Sequence, residues 1–292
     1  MKYPRFSIIV TTHNRPALVM RCVESLLTQD FPSADFEIIV VDDGSHPRTI
    51  NVLASYRQAG LIHYLYQSQQ GWGAARLNGV RHSRGEIMVF LDDDCQAPPT
   101  WLSTYAAVYE KYPQVVGVGG GLRYGNRMNV AGWKQYHGHM AYFDHLNAPL
   151  GITHTQAGRV WFTFGGNRSF RKTTWLSVQP KSNDWYFDDY SIDQRLREQK
   201  LGVYYEPAAW VEHFYFLSLP QRLRSAYRYG RSEKSLRSQN QIPSIPAARL
   251  GLWGRWQRMK AEAPEASNFA HSWYALTQPL IWLARRWGRN WS

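Results

Sequence analysis

The chain has 292 residues, 44% hydrophobic and 19% charged, which excludes wholesale disorder and leaves ample length to bury a core without staples. Against 22 Asp and Glu stand 34 Lys and Arg, a formal net charge of +12 that favours anionic partners: phosphates, nucleic acid or an acidic membrane surface. Two cysteines, Cys22 and Cys95, are too few for a disulfide framework or a four-thiolate zinc site and point to a reducing compartment.

The opening MKYPRFS carries no apolar run of signal-peptide length, so no signal peptide is expected. The apolar tract Ala275 to Ala284 contains Pro279 and falls well short of the roughly 20 residues a spanning helix needs. The expectation is a cytoplasmic protein, or one peripheral on the cytoplasmic face of a membrane.

In chain order, Phe6 to Val10 is an apolar run predicting a strand that ends in Thr11-Thr12. Leu18, Val19, Cys22, Val23, Leu26 and Leu27 recur at helical spacing and predict a helix over Ala17 to Leu27. Phe36 to Val41 predicts a second strand, closed by the turn signal Asp42-Asp43-Gly44-Ser45. A helix over Ile50 to Tyr56, a strand over Ile62 to Tyr66 and a helix over Gly73 to His82 follow. Ile87 to Leu91 predicts a fourth strand, stopped by Asp92-Asp93-Asp94; a helix over Trp101 to Lys111 and a strand over Val115 to Val118 come next.

This alternation predicts an α/β fold with a mostly parallel sheet flanked by helices, and ligands in such sheets sit outside the carboxyl ends of the strands. Three polar clusters (Thr11, Asp42-Asp43 and Asp92 to Asp94) fall at three such ends and point to one crevice. From Gly119 to Arg159 the pattern weakens and reads as extended loops and short elements. Arg195 to Gln199 predicts a helix, and Val203 to Tyr205 and Trp210-Val211 predict short strands split by Pro207.

Composition shifts near Pro220. Between Pro220 and Lys260 ten basic residues face one acid, Glu233, and from Ala247 onward lie six of the 13 tryptophans. The expected organisation is a domain over 1–219 and a basic, Trp-rich helical extension over 220–292.

Three adjacent carboxylates repel one another unless solvated or neutralised, and a hard divalent cation such as Mg²⁺ or Mn²⁺ takes carboxylates together with substrate phosphates. A solvated acidic turn is the plainer alternative. FSIIVTTHNRP, EIIVVDDGS, GWGAARLNGVRHSRGEIMVFLDDD, FGGNRSFRK, FDDYSIDQRL and YYEPAAWVEHF occur in that order, and together they resemble the family 2 glycosyltransferases, inverting nucleotide-sugar enzymes of the Rossmann-like GT-A fold. The resemblance covers about Phe6 to Phe214 and leaves the tail beyond about Pro220 uncovered.

That resemblance implies roles for particular residues. Thr11, with Asn14 and Arg15 in the loop after it, falls among donor-binding positions, and Asp43 is similar to the carboxylate that accepts a hydrogen bond from a uracil. Arg76 matches a basic residue near the diphosphate; as an exposed helix arginine it would have no such role. Asp92, Asp93 and Asp94 resemble the D-x-D element, Asp94 as direct metal ligand and Asp92 toward the ribose or a metal-bound water. His213 matches a histidine that in many relatives completes the metal site, though a histidine beside aromatics is also a common core residue. Gly165, Gly166 and Asn167 resemble the loop lining donor sugar and acceptor.

Asp188-Asp189 resembles the family's Glu-Asp pair ahead of an arginine, here Arg195. Asp188 stands where Glu is usual, and Ser191 stands where a further acid is expected, with Asp193 nearby. Asp189 is the expected general base and Asp188 the fallback; a carboxylate suits removal of a proton from an acceptor hydroxyl.

The implied activity is transfer of a sugar from a nucleotide-sugar, UDP-linked by family habit, to a saccharide or lipid-linked acceptor in cell-surface or extracellular polysaccharide or glycolipid synthesis. A sugar-nucleotide nucleotidyltransferase and a catalytically silent, membrane-associated nucleotide-binding protein are the rivals; the first usually has a glycine-rich basic loop where this chain has THNRP. His137, His139, His145 and His154 lack partners at zinc spacing, and Cys95 has no marked base. The tail reads as an interfacial helix on an anionic membrane, or as an intramolecular or dimer helix; no nucleic-acid module is recognisable and none is expected as a partner. The oligomeric state is not legible.

Overall fold

The computed structural model describes residues 4–125, 130–179, 188–214, 218–220, 222–224, 226–227, 279–284 and 286–287, and of these not the side chains of 130–135, 137–138, 142 and 188–190. The chain divides into two compact units, Met1–Arg123 with Met140–His213, and Tyr124–His139 with Phe214–Ser292.

In the first unit the elements run β1 (Phe6–Thr12), α1 (Pro16–Leu27), β2 (Phe36–Asp43), α2 (Ile50–Gln58), β3 (His63–Gln67), α3 (Trp72–His82), β4 (Ile87–Asp92), β5 (Cys95–Gln96), α4 (Trp101–Lys111) and β6 (Gly117–Tyr124). α5 (Val130–Asn147) contributes residues to both units, and β7 (Gly158–Val160), β8 (Asn167–Arg171), α6 (Lys172–Val178), α7 (Asp188–Glu198) and β9 (Val203–His213) follow.

β1, β2 and β4 are continuous apolar runs because helices cover both faces of the sheet there. Every residue of β1 is buried, and α1 turns Val19, Cys22, Val23 and Leu26 inward onto the core. Each such aliphatic side chain contributes about 1.5–3 kcal/mol by leaving water. Pro16 opens α1, where its missing N–H costs nothing.

Among the described residues nine strands form one sheet in the order β3-β2-β1-β4-β8-β6-β9-β5, with β7 on β9. β3, β2, β1 and β4 are parallel, as the strand–helix alternation predicts. Beyond β4 the sheet turns antiparallel: β8 pairs antiparallel with both β4 and β6, and β9 with β5 and β7. Only two residues separate β4 from β5, a reach of about 10 Å. In the sheet order β8, β6 and β9 lie between them, at roughly 4.8 Å per strand. The sheet therefore curls until β5, leaving the end of β4, meets the end of β9.

Two expectations need correction. The stretch after Gly119 is not loops alone but β6 extended to Tyr124 and the 18-residue helix α5. Among its described side chains Met140, Phe143 and Asn147 are the buried ones, a helical i, i+3, i+7 spacing that Gly132 and Gly138 obscure in the sequence. Pro207 does not split a strand: β9 is one 11-residue strand pairing with β7 at Val203 to Tyr205 and with β5 at Glu212 and His213. In the second unit, the Tyr124 and Tyr136 rings lie 6.2 Å apart and Tyr227 meets Trp287 edge-on at 6.1 Å. Most of the tail considered above, Arg249, Trp253, Trp256 and Trp291 among it, lies outside the described residues. Among the described residues no helix is long and apolar enough to cross a membrane.

Candidate functional site

The chain winds outward through β1, β2 and β3 and then returns to the other side of β1 as β4, so strand order reverses between β1 and β4. The crevice beyond such a reversal is where open α/β sheets take ligands. Register places Thr11 beside Asp92 and Thr12 beside Asp42 at that end.

The three aspartates after β4 differ in surroundings. Asp92 is the most open, its side chain 38% exposed, and it pairs with Arg76, Nη2 to Oδ1 3.2 Å. Arg76 itself is buried and also donates to the carbonyl of Gly165 at 3.3 Å, tying α3 to the loop before β8. Asp93 is buried, accepting from the Thr12 hydroxyl at 2.7 Å and from Arg15 Nη1 at 3.0 Å. The same Arg15 nitrogen lies 3.0 Å from Asp94 Oδ2, and His213 Nε2 lies 2.9 Å from Asp94 Oδ1.

Electrostatics follow from this geometry. Burial and the charges of Asp94 and Asp92 push the Asp93 carboxyl upward, with Arg15 pulling against them. Burial acts the same way on Asp94, but His213 and Arg15 outweigh it and hold that carboxyl below its ordinary value. Burial disfavours the His213 imidazolium, yet Asp94, with Asp92 behind it, raises it above the usual histidine value. Burial, with the three aspartates, raises the Cys95 thiol well up, so it stays protonated.

Among the described residues, Asp94, Cys95 and His213 bring one potential ligand atom each within 4.8 Å of one another. A carboxylate and an imidazole beside a second buried carboxylate fit Mn²⁺ or Mg²⁺; the protonated thiol is too soft to matter to either. β5 pairing with β9, Cys95 opposite His213, creates this meeting.

The remaining expected residues divide between crevice and framework. Asp43 is buried and accepts from Gln67 Nε2 at 2.8 Å, from the Gln70 amide at 2.8 Å and from the Gly71 amide at 2.7 Å. Asn14 sits at φ 56° and serves the loops: its amide donates to Ser45 Oγ, and its Oδ1 accepts from the His46 amide. Gly166 lies against Asp92, where a methyl group would overlap the carboxylate. Asn167 is fully buried, donating to the Gly121 and Ala209 carbonyls and accepting from Trp101 Nε1 and the Tyr105 hydroxyl. Its side chain cross-links β6, β8, β9 and α4 and so holds the loop before β8 in place.

Asp188 and Asp189 open α7, and their side chains lie outside the described residues. Further along the same helix, Ile192 and Asp193 are buried. Asp193 is committed elsewhere, to a buried ion pair with Arg168 at 3.2 Å. At the start of α4 the Leu102 amide donates to Gln29 Oε1 at 2.9 Å. His154 pairs with Asp144 at 2.9 Å rather than with other histidines, and His145 is exposed; the side chain of His137 lies outside the described residues.

A parallel sheet half with an acidic crevice at its reversal, extended by an antiparallel half that returns a histidine to that crevice, is the GT-A architecture of glycosyltransferases. The chain belongs to glycosyl transferase family 2, whose profile matches residues 7–211. It is 33% identical over 101 residues to glycosyltransferase AglE of Haloferax volcanii, covering 34% of this chain and 33% of that protein. It thus spans about a third of that relative's length. In fold it is similar to the mannosyltransferase PcManGT from Pyrobaculum calidifontis, solved in complex with GDP-Man and Mn²⁺, at TM-score 0.65 and 16% identity over 100% of this chain and 88% of that one. S. aureus TarS 1–349 matches at TM-score 0.54 and 14% identity, over 98% and 90%.

Proposed function

We propose that this chain transfers a sugar from a nucleoside-diphosphate sugar to an acceptor hydroxyl with inversion at the anomeric carbon. The observation that carries the reading is the meeting of Asp94, His213, Arg15 and Arg76 at the β1/β4 reversal. Two arginines and a carboxylate–imidazole pair in one crevice suit a ligand that carries a diphosphate and brings a cation with it.

Asp94 and His213 would hold a divalent cation, which when bound offsets the charge gathering on a departing diphosphate. Asp43, in the turn after β2, orients the nucleoside base, and Arg76 attracts the diphosphate. Gly166 leaves room beside Asp92 for a ligand to approach. Asp189 accepts the proton of the acceptor hydroxyl as that oxygen attacks. The family match over residues 7–211 supports these roles, as does a protein of the same fold that carries GDP-Man and Mn²⁺. The acceptor is a saccharide or a lipid-linked saccharide, the class to which polysaccharide and glycolipid assembly belongs.

The test separates binding from chemistry. Asp189→Asn should abolish transfer while donor affinity, read by calorimetry, stays within about twofold, because a base acts on the acceptor and not on the nucleotide. Near-normal turnover in Asp189→Asn would remove that residue from the role.

A further inference from the structure

We infer that the helical residues 279–284 and 286–287 form an in-plane anchor for an anionic lipid surface. Leu280 is 49% exposed, Leu283 52% and Trp287 55%, and their i, i+3, i+7 spacing puts them on one face. Trp282, 46% exposed, flanks that stripe and carries the Arg286 guanidinium 5.2 Å above its ring. These four account for half of the large exposed hydrophobic side chains among the described residues. Isolated exposed hydrophobics are ordinary, but a contiguous stripe with a charged margin marks a surface that something covers.

Charge identifies the occupant. Residues 220–292 hold 13 Lys and Arg against three Glu, and no acid follows Glu265. A second copy laid on this face would bring Arg286 and its basic neighbours against like charge. Anionic headgroups meet both needs: acyl chains take the leucines, while Trp and Arg lie at the headgroup level with the guanidinium reaching phosphate. Arg285 and Arg286 within the stretch, and Arg289 just beyond it, disfavour burial across a bilayer, so it lies along the surface.

The experiment is cosedimentation of the full chain with vesicles of phosphatidylcholine alone and of phosphatidylcholine mixed with phosphatidylglycerol. The wild type should partition onto the mixed vesicles only, less so as salt rises. Leu280→Ser with Leu283→Ser should lower partitioning by on the order of a hundredfold, and Arg286→Glu by on the order of tenfold. Trp287 packs on Tyr227, so the leucine pair, on the open face, is the cleaner variant. Failure of the wild type to bind mixed vesicles, or leucine variants that bind as the wild type does, would overturn the anchor. So would a wild-type dimer in sedimentation velocity that the leucine variants convert to monomer without any vesicle binding. Donor affinity measured on the same variants should not change. Its absence in the wild type would count against the glycosyltransferase reading alone.

Discussion

Asp94, in the turn after β4, and His213, the last residue of β9, face each other at 2.9 Å, Oδ1 to Nε2. Their meeting is a property of the curled sheet, because it requires the two-residue strand β5 to pair with the end of β9. Removing the imidazole should therefore weaken cation binding without disturbing the strands. His213→Ala should lower Mn²⁺ affinity by roughly 10–100-fold in an electron paramagnetic resonance titration. Unchanged affinity would take His213 out of the cation site.

Arg15 is the resident cation of the aspartate cluster, touching Asp93 and Asp94 at 3.0 Å each. With its guanidinium gone, the buried Asp93 loses this ion pair and Asp94 is left with His213. Arg15→Gln should lose about 2 kcal/mol of stability without metal, less than a fully buried pair because the side chain is about a third exposed. Mn²⁺ should restore much of that loss, giving the variant a larger metal-induced rise in Tm than the wild type. Equal rises would mean that Arg15 does not share the charge that the metal neutralises.

Asn167 separates framework from chemistry. It makes four buried hydrogen bonds, and Asn167→Ala leaves several partners unsatisfied. The expected cost is about 3 kcal/mol in urea unfolding. Gly166→Ala does the opposite: its methyl group intrudes on Asp92, so donor affinity should fall by on the order of tenfold with little change in the unfolding midpoint. A variant pair with these effects exchanged would reverse the assignment.

The stability of the parallel half should weaken in acid through Glu37. Burial raises its carboxyl, but the Ser7 hydroxyl at 2.6 Å and the Arg84 amide and guanidinium outweigh it, and its folded value lies below the ordinary one. A depressed carboxylate contributes fully above its unfolded value of about 4.3 and loses that contribution as pH falls through the folded value. The gap in unfolding free energy between wild type and Glu37→Gln should therefore be constant near neutrality and close below about pH 4. A gap that persists in strong acid would show that packing, not charge, sets the difference.

β1, β2 and β4 were legible in the sequence because they are buried and read as nearly continuous apolar runs, with acids marking the ends of β2 and β4. β6 was underestimated: Gly119, Gly120 and Gly121 give no alternation to count. α5 was hidden by its glycines and histidines, and Pro207 suggested a break that β9 does not make. In the site, Asp42, Asp43 and the aspartate triplet announced themselves by local clustering. Arg15 as counter-ion and Asn167 as cross-link depend on partners dozens of residues away, and no spacing rule signals those. Gln67, whose amide holds Asp43, was missed for the same reason.

In the proposed function the β1/β4 crevice binds a nucleoside-diphosphate sugar with a divalent cation. Release of nucleoside diphosphate from UDP-, GDP- and dTDP-sugars, with Mn²⁺, Mg²⁺ or EDTA and without acceptor, tests it most directly. Slow release from one nucleotide class, lost in EDTA and in Asp94→Ala, is the expected result. Folded protein that neither binds nor cleaves any of these donors, or that cleaves equally well in EDTA, would contradict it.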